Sequence, residues 1–354
     1  MKLYKIIFKG YRILYVLDDG RYLLYKNFSF YIGTCDPEMV EYLCEIKVNI
    51  IKKFLSYFRL TNRLLRLEPR TVEKLDDEKY VIAFLKQIFV IDITHCTIKS
   101  AYKNIKGYSD VLNFLYVEKY KKVYWGDYIN IRSDNKINIY SIDKDLKIEV
   151  VYQFENHEIK HVHNILYDNE TDRFIVMTGD VEKTSGIYLF SSNWQERKIL
   201  AVGKQIYRAV HGCIIDRELY YPTDAVMEDN AIYKINIDTK SVKKIDDVSG
   251  SCIYATENAN GFYFSTTVEP LPGRKGLLIN KRGKGIKDSY SYLFKLTHCE
   301  VKYILKFEKD LLPMRLFQYG CMHFPKGQNF MNDIICYGVA LKKVDGKNIL
   351  INTN

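Results

Sequence analysis

Four of the seven histidines fall on short apolar stretches, and two of them stand one residue apart. His161 and His163 lie in "KHVHNILYDNETDRFIVMTGD", residues 160–180. In an extended strand, residues i and i+2 point to the same side, so the two imidazoles share a face. His211, in "YRAVHGCIID", and His323, in "FQYGCMHFP", sit on similar stretches further along. Imidazole exchanges protons near neutral pH, and its ring nitrogens also ligate divalent metals. The four histidines therefore define a candidate acid–base site. A metal is allowed as well, provided three ligands converge at one height.

Acidic residues recur at a matching place. Asp127, Asp180, Asp224 and Glu269 each follow a second apolar stretch, at separations of 53, 44 and 45 residues. One reading makes them corner residues that bind backbone. The other makes them a set of carboxylates that hold sugar hydroxyls or act as acid and base. Arg173 and Arg208 lie beside the same stretches, and a guanidinium pairs a carboxylate or phosphate through two parallel hydrogen bonds. The expected catalytic set is His161, His163, His211, Asp180 and Asp224. The expected substrate-binding set is Arg173, Arg208, Asp127, Glu269 and His323. Lys160 and Lys204 read as solvated.

The elements that must position these residues are strands. Apolar alternation, polar turns and the small-residue-plus-acid corner repeat at about the length of a four-stranded propeller blade. Six such units are legible between residues 63 and 354. The N-terminal strands, residues 3–27, either complete the last unit, which removes exposed sheet edges, or form a seventh blade of their own. The expected fold is an all-β, six-bladed propeller, with seven blades as the alternative, in one domain over 1–354.

Two segments break the repeat. Residues 36–63 carry Asp36 at an N-cap position, Pro37 at the first helical position, and Met39, Leu43, Ile46, Ile50 and Phe54 at helical spacing. They predict a helical insertion. Its basic residues Lys47, Lys52, Lys53, Arg59 and Arg63 leave two readings, a helix packed on the propeller side or one lying on an anionic membrane. Residues 271–288 form a basic loop insertion with Arg274, Lys275, Lys281, Arg282, Lys284 and Lys287. It reads as a solvated hairpin or as a lid over an anionic ligand, and its glycines lack the spacing of a phosphate-binding loop.

Composition narrows the class. The chain of 354 residues is 47% apolar, has 30 tyrosines and carries a formal net charge of +10. That charge suits an anionic partner. Nucleic acid is disfavoured, because the basic residues lack an interleaved aromatic platform. The N-terminal apolar stretch is broken by Lys5, Lys9 and Arg12, so no signal peptide is expected. The eight cysteines show no close pair and read as reduced thiols. These features predict a cytoplasmic protein, with peripheral attachment at the inner membrane as a further expectation for residues 36–63.

The segments "WGDY", "HVHNILYDNETDRFIVMTGD", "PTDA" and "FQYGCMHFP" together resemble the sialidase-like BNR-repeat propellers. They resemble most a poorly characterised bacterial group associated with surface-polysaccharide gene clusters, over about residues 63–340. "YSIDKD" and "FSSNWQE" occupy the Asp-box turn in degenerate form. The sialidase arginine triad and Tyr/Glu pair have no counterparts here, so sialidase activity is not expected. The resemblance implies an enzyme of surface-polysaccharide biosynthesis acting on an anionic, nucleotide-linked or lipid-linked sugar, with sugar transfer preferred. A carboxylate or His163 would be the base, and Arg173 or Arg208 would hold the anionic group. Similar propellers include sugar-acid lyases with channel histidines, which gives a lyase or hydrolase using His161, His163 and His211 as the alternative. A non-catalytic scaffold or glycan-binding protein is the third reading. The cofactor stays unspecified, with a divalent metal allowed.

Overall fold

Short runs rich in Ile, Val, Tyr and Phe, each closed by a tight turn, pair with the run that follows. The computed structural model describes residues 4–35, 37–104, 109–129, 136–273, 276, 278, 280–297 and 300–353. Among the described residues, 28 strands form seven four-stranded sheets. Six sheets consist of four consecutive strands, and the pattern is that of a seven-bladed β-propeller. Blades 1 to 6 cover residues 12–45, 71–103, 115–154, 162–202, 213–248 and 252–308. Blade 7 takes three strands from 321–351 and its fourth from Tyr4–Ile7.

The chain divides into two compact units. The first comprises Met1–Glu68, Ala225–Asn230 and Asp246–Asn354, and the second Pro69–Asp224 and Ala231–Ile245. In the second unit the apolar faces of blades 3 and 4 bury Ile139, Phe154, Val162, Phe174, Val176 and Phe190 in one cluster. The Phe174 ring stacks on Trp194 with centroids 4.4 Å apart. In the first unit, Tyr4–Ile7 pairs with Asn348–Ile351. The buried Asn348 side chain secures that join: its Oδ1 accepts from Ile13 N at 2.9 Å and its Nδ2 donates to Tyr11 O at 2.8 Å.

The N-terminal strands resolve the blade count at seven. Tyr4–Ile7 completes the last blade, and the strands from Arg12 to Glu45 make a blade of their own. The expectation of a helical insertion over 36–63 is corrected for its first half. Asp36 lies outside the described residues, and Glu38–Glu45 is a strand paired with Ser29–Cys35. The open edge of the preceding hairpin offers a full ladder of backbone partners, and Tyr31 meets Tyr42 edge-on at 5.8 Å. Helix begins only at Asn49, whose side chain accepts from Lys52 N at 2.7 Å. Two short helices follow, α1 over Ile50–Ser56 and α2 over Arg59–Leu65. In the basic loop, Arg274 and Lys275 lie outside the described residues. Arg282 donates to Ser289 Oγ at 2.5 Å, and Lys287 pairs with Asp229.

Asn348 yields a stability prediction. Asn348→Ala strands the buried Ile13 N–H and the carbonyls that the amide serves. An unmet buried hydrogen-bonding group costs about 1–3 kcal/mol. Urea unfolding of the variant is expected to show at least that loss, with an unchanged slope against denaturant.

Candidate functional site

Blade 4 builds the site. His161 directly precedes the strand Val162–Asp168, and His163 is its second residue. Both imidazoles are buried, at 0% and 2% exposure. His161 Nδ1 lies 2.8 Å from Ile129 O, and His163 Nδ1 lies 2.9 Å from Ala209 O. A carbonyl oxygen only accepts, so both Nδ1 atoms donate and carry the ring proton in the neutral form. The Nε2 atoms then present lone pairs, and they stand 3.1 Å apart. Two lone pairs at that distance repel unless a proton or a cation lies with them.

Asp180 completes the set. Its Oδ2 is 3.4 Å from His161 Nε2 and its Oδ1 is 3.4 Å from His163 Nε2. The ligand atoms of the three residues all lie within 4.8 Å of one another. Asp180 takes a positive φ of 81°, the left-handed turn at the end of the second strand. Gly179 is required before it: a Cβ there would fall 2.2 Å from His163 Cε1. Two imidazole nitrogens and a carboxylate form the donor set of many divalent-cation sites, and backbone carbonyls behind each ring are the usual support for such ligands.

Cations surround the acid. Arg208 Nη2 bridges Asp180 Oδ1 and Asp224 Oδ2, at 2.9 Å each, and Lys160 Nζ lies 2.8 Å from Asp180 Oδ2. Asp224 is buried, and its Oδ1 has no hydrogen-bond partner among the described residues. The Tyr128 ring stacks on His161 with centroids 4.3 Å apart, and the Arg70 guanidinium lies 4.5 Å from the Tyr128 centroid.

Burial pulls His161 down to about 4, against the raising effect of Asp180. Burial works to raise Asp180. The contacts with His161 and His163, which act when a ring takes up a proton on Nε2, and the charge of Arg208 outweigh it and hold this carboxyl well below the usual range. Burial also pushes Asp224 up, opposed by Arg208.

The structure thus gathers His161, His163, Asp180, Arg208 and Asp224. The other expected residues make different contacts. His211 Nδ1 is 3.2 Å from the Asn164 amide, one residue beyond His163. Asp127 serves its own blade, with Oδ2 accepting from Asn138 N at 2.9 Å, and burial raises it to about 7. Arg173 opens the strand Arg173–Thr178, at the end away from Asp180. Glu269 and His323 belong to the first unit. There Glu269 accepts from Thr267 Oγ1 at 2.9 Å, and the His323 ring stacks on Tyr254 at 4.0 Å. Lys160, read from sequence as solvated, is instead paired with Asp180. Tyr128 and Arg70 were not singled out. The adjacency of Tyr128 to the corner acid Asp127 is the one local signal for it.

No family model matches the chain, and no curated protein matches it. Solved structures do. An oligogalacturonate lyase in complex with manganese is 9% identical, with a TM-score of 0.60, over 96% of this chain and 88% of that one. An oligogalacturonate lyase from Vibrio parahaemolyticus is 10% identical, with a TM-score of 0.58, over 98% and 90%. A chain of the mitotic checkpoint complex is 8% identical, with a TM-score of 0.55, over 96% and 88%. At such identities the likeness is one of fold, and this fold serves unrelated tasks. The propeller part of the sequence resemblance stands, and nothing in these matches is specific to BNR repeats or to sialidases.

The pKa directions give a pH prediction. An unfolded histidine titrates near 6.5, so between about pH 6.5 and 4 the unfolded chain binds the proton that folded His161 refuses. Stability contributed by neutral His161 is therefore complete above that window and lost as pH falls through it. Asp180 adds a loss of the same sign at lower pH, below its ordinary 3.8. Urea unfolding at pH 4.5 is expected to show about 2–3 kcal/mol less stability than at pH 7 from His161. His161→Gln should flatten that slope.

Proposed function

We propose that the His161–His163–Asp180 cluster holds a divalent cation and that the protein is a lyase acting on an acidic, uronate-containing sugar chain. One observation carries the reading: two Nε2 lone pairs, fixed by backbone carbonyls, converge with a carboxylate. The residues fit the ion by donor type and by the repulsion between the two nitrogens that a cation would relieve. The fold likeness to oligogalacturonate lyases, one of them in complex with manganese, supports the substrate class and the ion. Nothing found supports sugar transfer.

The chain's own residues suit an anionic sugar. Arg208 and Lys160 place two cations beside the cluster, and a guanidinium and an ammonium are the groups that pair a uronate carboxylate. Asp224 holds Arg208 from the buried side through two contacts, Nε at 3.2 Å and Nη2 at 2.9 Å, which fixes the direction of the guanidinium. In elimination, a base takes the proton beside the carboxylate, the electron pair forms the carbon–carbon double bond, and the glycosidic oxygen leaves with a proton. A bound cation would draw charge from the carboxylate and acidify that carbon. His211, partly exposed and oriented by Asn164, is the residue we assign to proton exchange with the sugar.

The experiment is direct. Titration with Mn²⁺ or Zn²⁺, followed by calorimetry, is expected to show one site that is lost in His163→Ala and in Asp180→Asn. With oligogalacturonate and Mn²⁺, ultraviolet absorbance should report an unsaturated product. His211→Ala should lower that rate by about 10² to 10⁴ while leaving the metal isotherm intact. Failure of the wild type to bind either metal would leave the cluster a structural clasp of charges and would end the lyase reading.

A further inference from the structure

The two helices α1 and α2 are amphipathic in the reverse sense to a packed surface helix. The face of α2 turned to the protein is charged. Arg59 makes paired contacts with Asp345, Nη2–Oδ1 at 2.8 Å and Nε–Oδ2 at 3.1 Å, and reaches Glu68 at 2.7 Å. Arg63, four residues on and 2% exposed, donates to Phe317 O at 2.7 Å and pairs with Asp310 at 2.5 Å. The apolar residues face out: Leu60, Leu64 and Leu65 are between 42% and 52% exposed. In α1, Ser56 is the buried residue, whereas Ile50 is 84% exposed, Ile51 68% and Phe54 60%. Tyr57 and Phe58 continue the exposed surface, and Phe54 meets Phe58 edge-on at 5.3 Å.

Soluble surface helices bury the apolar stripe and expose the polar one. Eight large apolar residues presented outward within 16 positions need a covering surface. The charge pattern says which. Residues 46–67 contain six basic residues and no acidic one. Arg59 and Arg63 are held inward, and Lys53 pairs with Glu45 at 2.6 Å. That leaves Lys47, Lys52 and Arg66 beside the apolar surface with no acid paired to them among the described residues. A second copy of the chain would set like charges against each other. A bilayer with anionic headgroups supplies both an apolar layer and the opposite charge.

We propose that α1 and α2 dock this protein on an anionic phospholipid surface, with Ile50, Ile51, Phe54 and Phe58 entering the headgroup–acyl boundary and Lys47, Lys52 and Arg66 meeting the headgroups. The paired arginines hold the helices in place so that the apolar side chains remain available. This surface lies in the first unit and does not depend on the lyase reading of the second.

Flotation of the full chain with vesicles tests it. Vesicles of phosphatidylcholine with phosphatidylglycerol are expected to carry the protein at low salt, and phosphatidylcholine alone is not. Raising salt should weaken the binding, since the charge attraction is screened. Lys52→Glu, a change of two charges, should lower partitioning roughly thirtyfold. Ile50→Ser with Phe54→Ser should lower it on the order of a hundredfold or more. These side chains are exposed, so thermal melting of both variants should match the wild type, which separates lost docking from lost folding. Three results overturn the proposal: a wild type that stays off anionic vesicles at low salt, binding unchanged in both variants, or a stable dimer in solution that the serine variant dissolves.

Discussion

The carbonyl oxygens of Ile129 and Ala209 decide what blade 4 can do. Each accepts from a histidine Nδ1 and so turns the opposite nitrogen inward. Without either carbonyl, that ring could carry its proton on Nε2 and donate it to its neighbour or to Asp180 in an ordinary hydrogen bond. As built, two acceptors face each other at 3.1 Å beside a third acceptor. Such an arrangement is stable only with positive charge among the three. The backbone supplies this constraint, from the loop between the second and third strands of blade 3 and from the connection that precedes blade 5. Gly179 then removes the one Cβ that would displace His163.

The surrounding charges follow from that constraint. Asp180 is about a quarter exposed, and two buried rings border it. Removing a carboxylate from water is costly unless cations and donors replace the solvent. Arg208 and Lys160 do so, and Asp224 in turn balances Arg208. The cluster is therefore a relay of alternating sign in which each member fixes the next. A single truncation leaves a buried charge uncompensated. The same alternation holds Arg208 and Lys160 near the cluster, where an anionic ligand would find two cations already positioned.

Much of this was legible in the residues themselves. The hairpin repeat showed because strands alternate with period two and because each second strand ends near a small residue and an acid. His161, His163 and Asp180 were found by spacing, and Arg208 by its neighbourhood. The blade count was harder. Tight two-residue hairpin turns here use Asn27-Phe28, Leu85-Lys86 and Asp216-Arg217 in left-handed geometry, with none of the glycines that usually mark such turns. Residues 38–45 satisfy both periods, and only the waiting edge of Ser29–Cys35 selects the strand. Tyr128 gains its role from a stack on His161 that forms across blades, and Lys160 from a pairing with Asp180 across the mouth of its own hairpin, neither of which the repeat pattern encodes. Asp127 shows the converse: its place in the repeat matched that of Asp180, yet its carboxylate turns to Asn138 within blade 3.

Asp127 and Asp180 occupy equivalent corners, and their difference explains how one blade acquires a site on a repeated frame. At Asp127 the carboxylate bonds its own blade's backbone, and burial raises it to about 7. At Asp180 the left-handed turn after Gly179 sends the carboxylate away from that backbone and toward the histidines. The corner acid is thus a structural fixture by default. On the proposed reading it becomes a ligand where a glycine precedes it, two histidines lie at the start of the adjoining strand, and an arginine from the next connection takes over its charge balance. Changing a repeat's corner into a site needs these few side chains and no change in the strands.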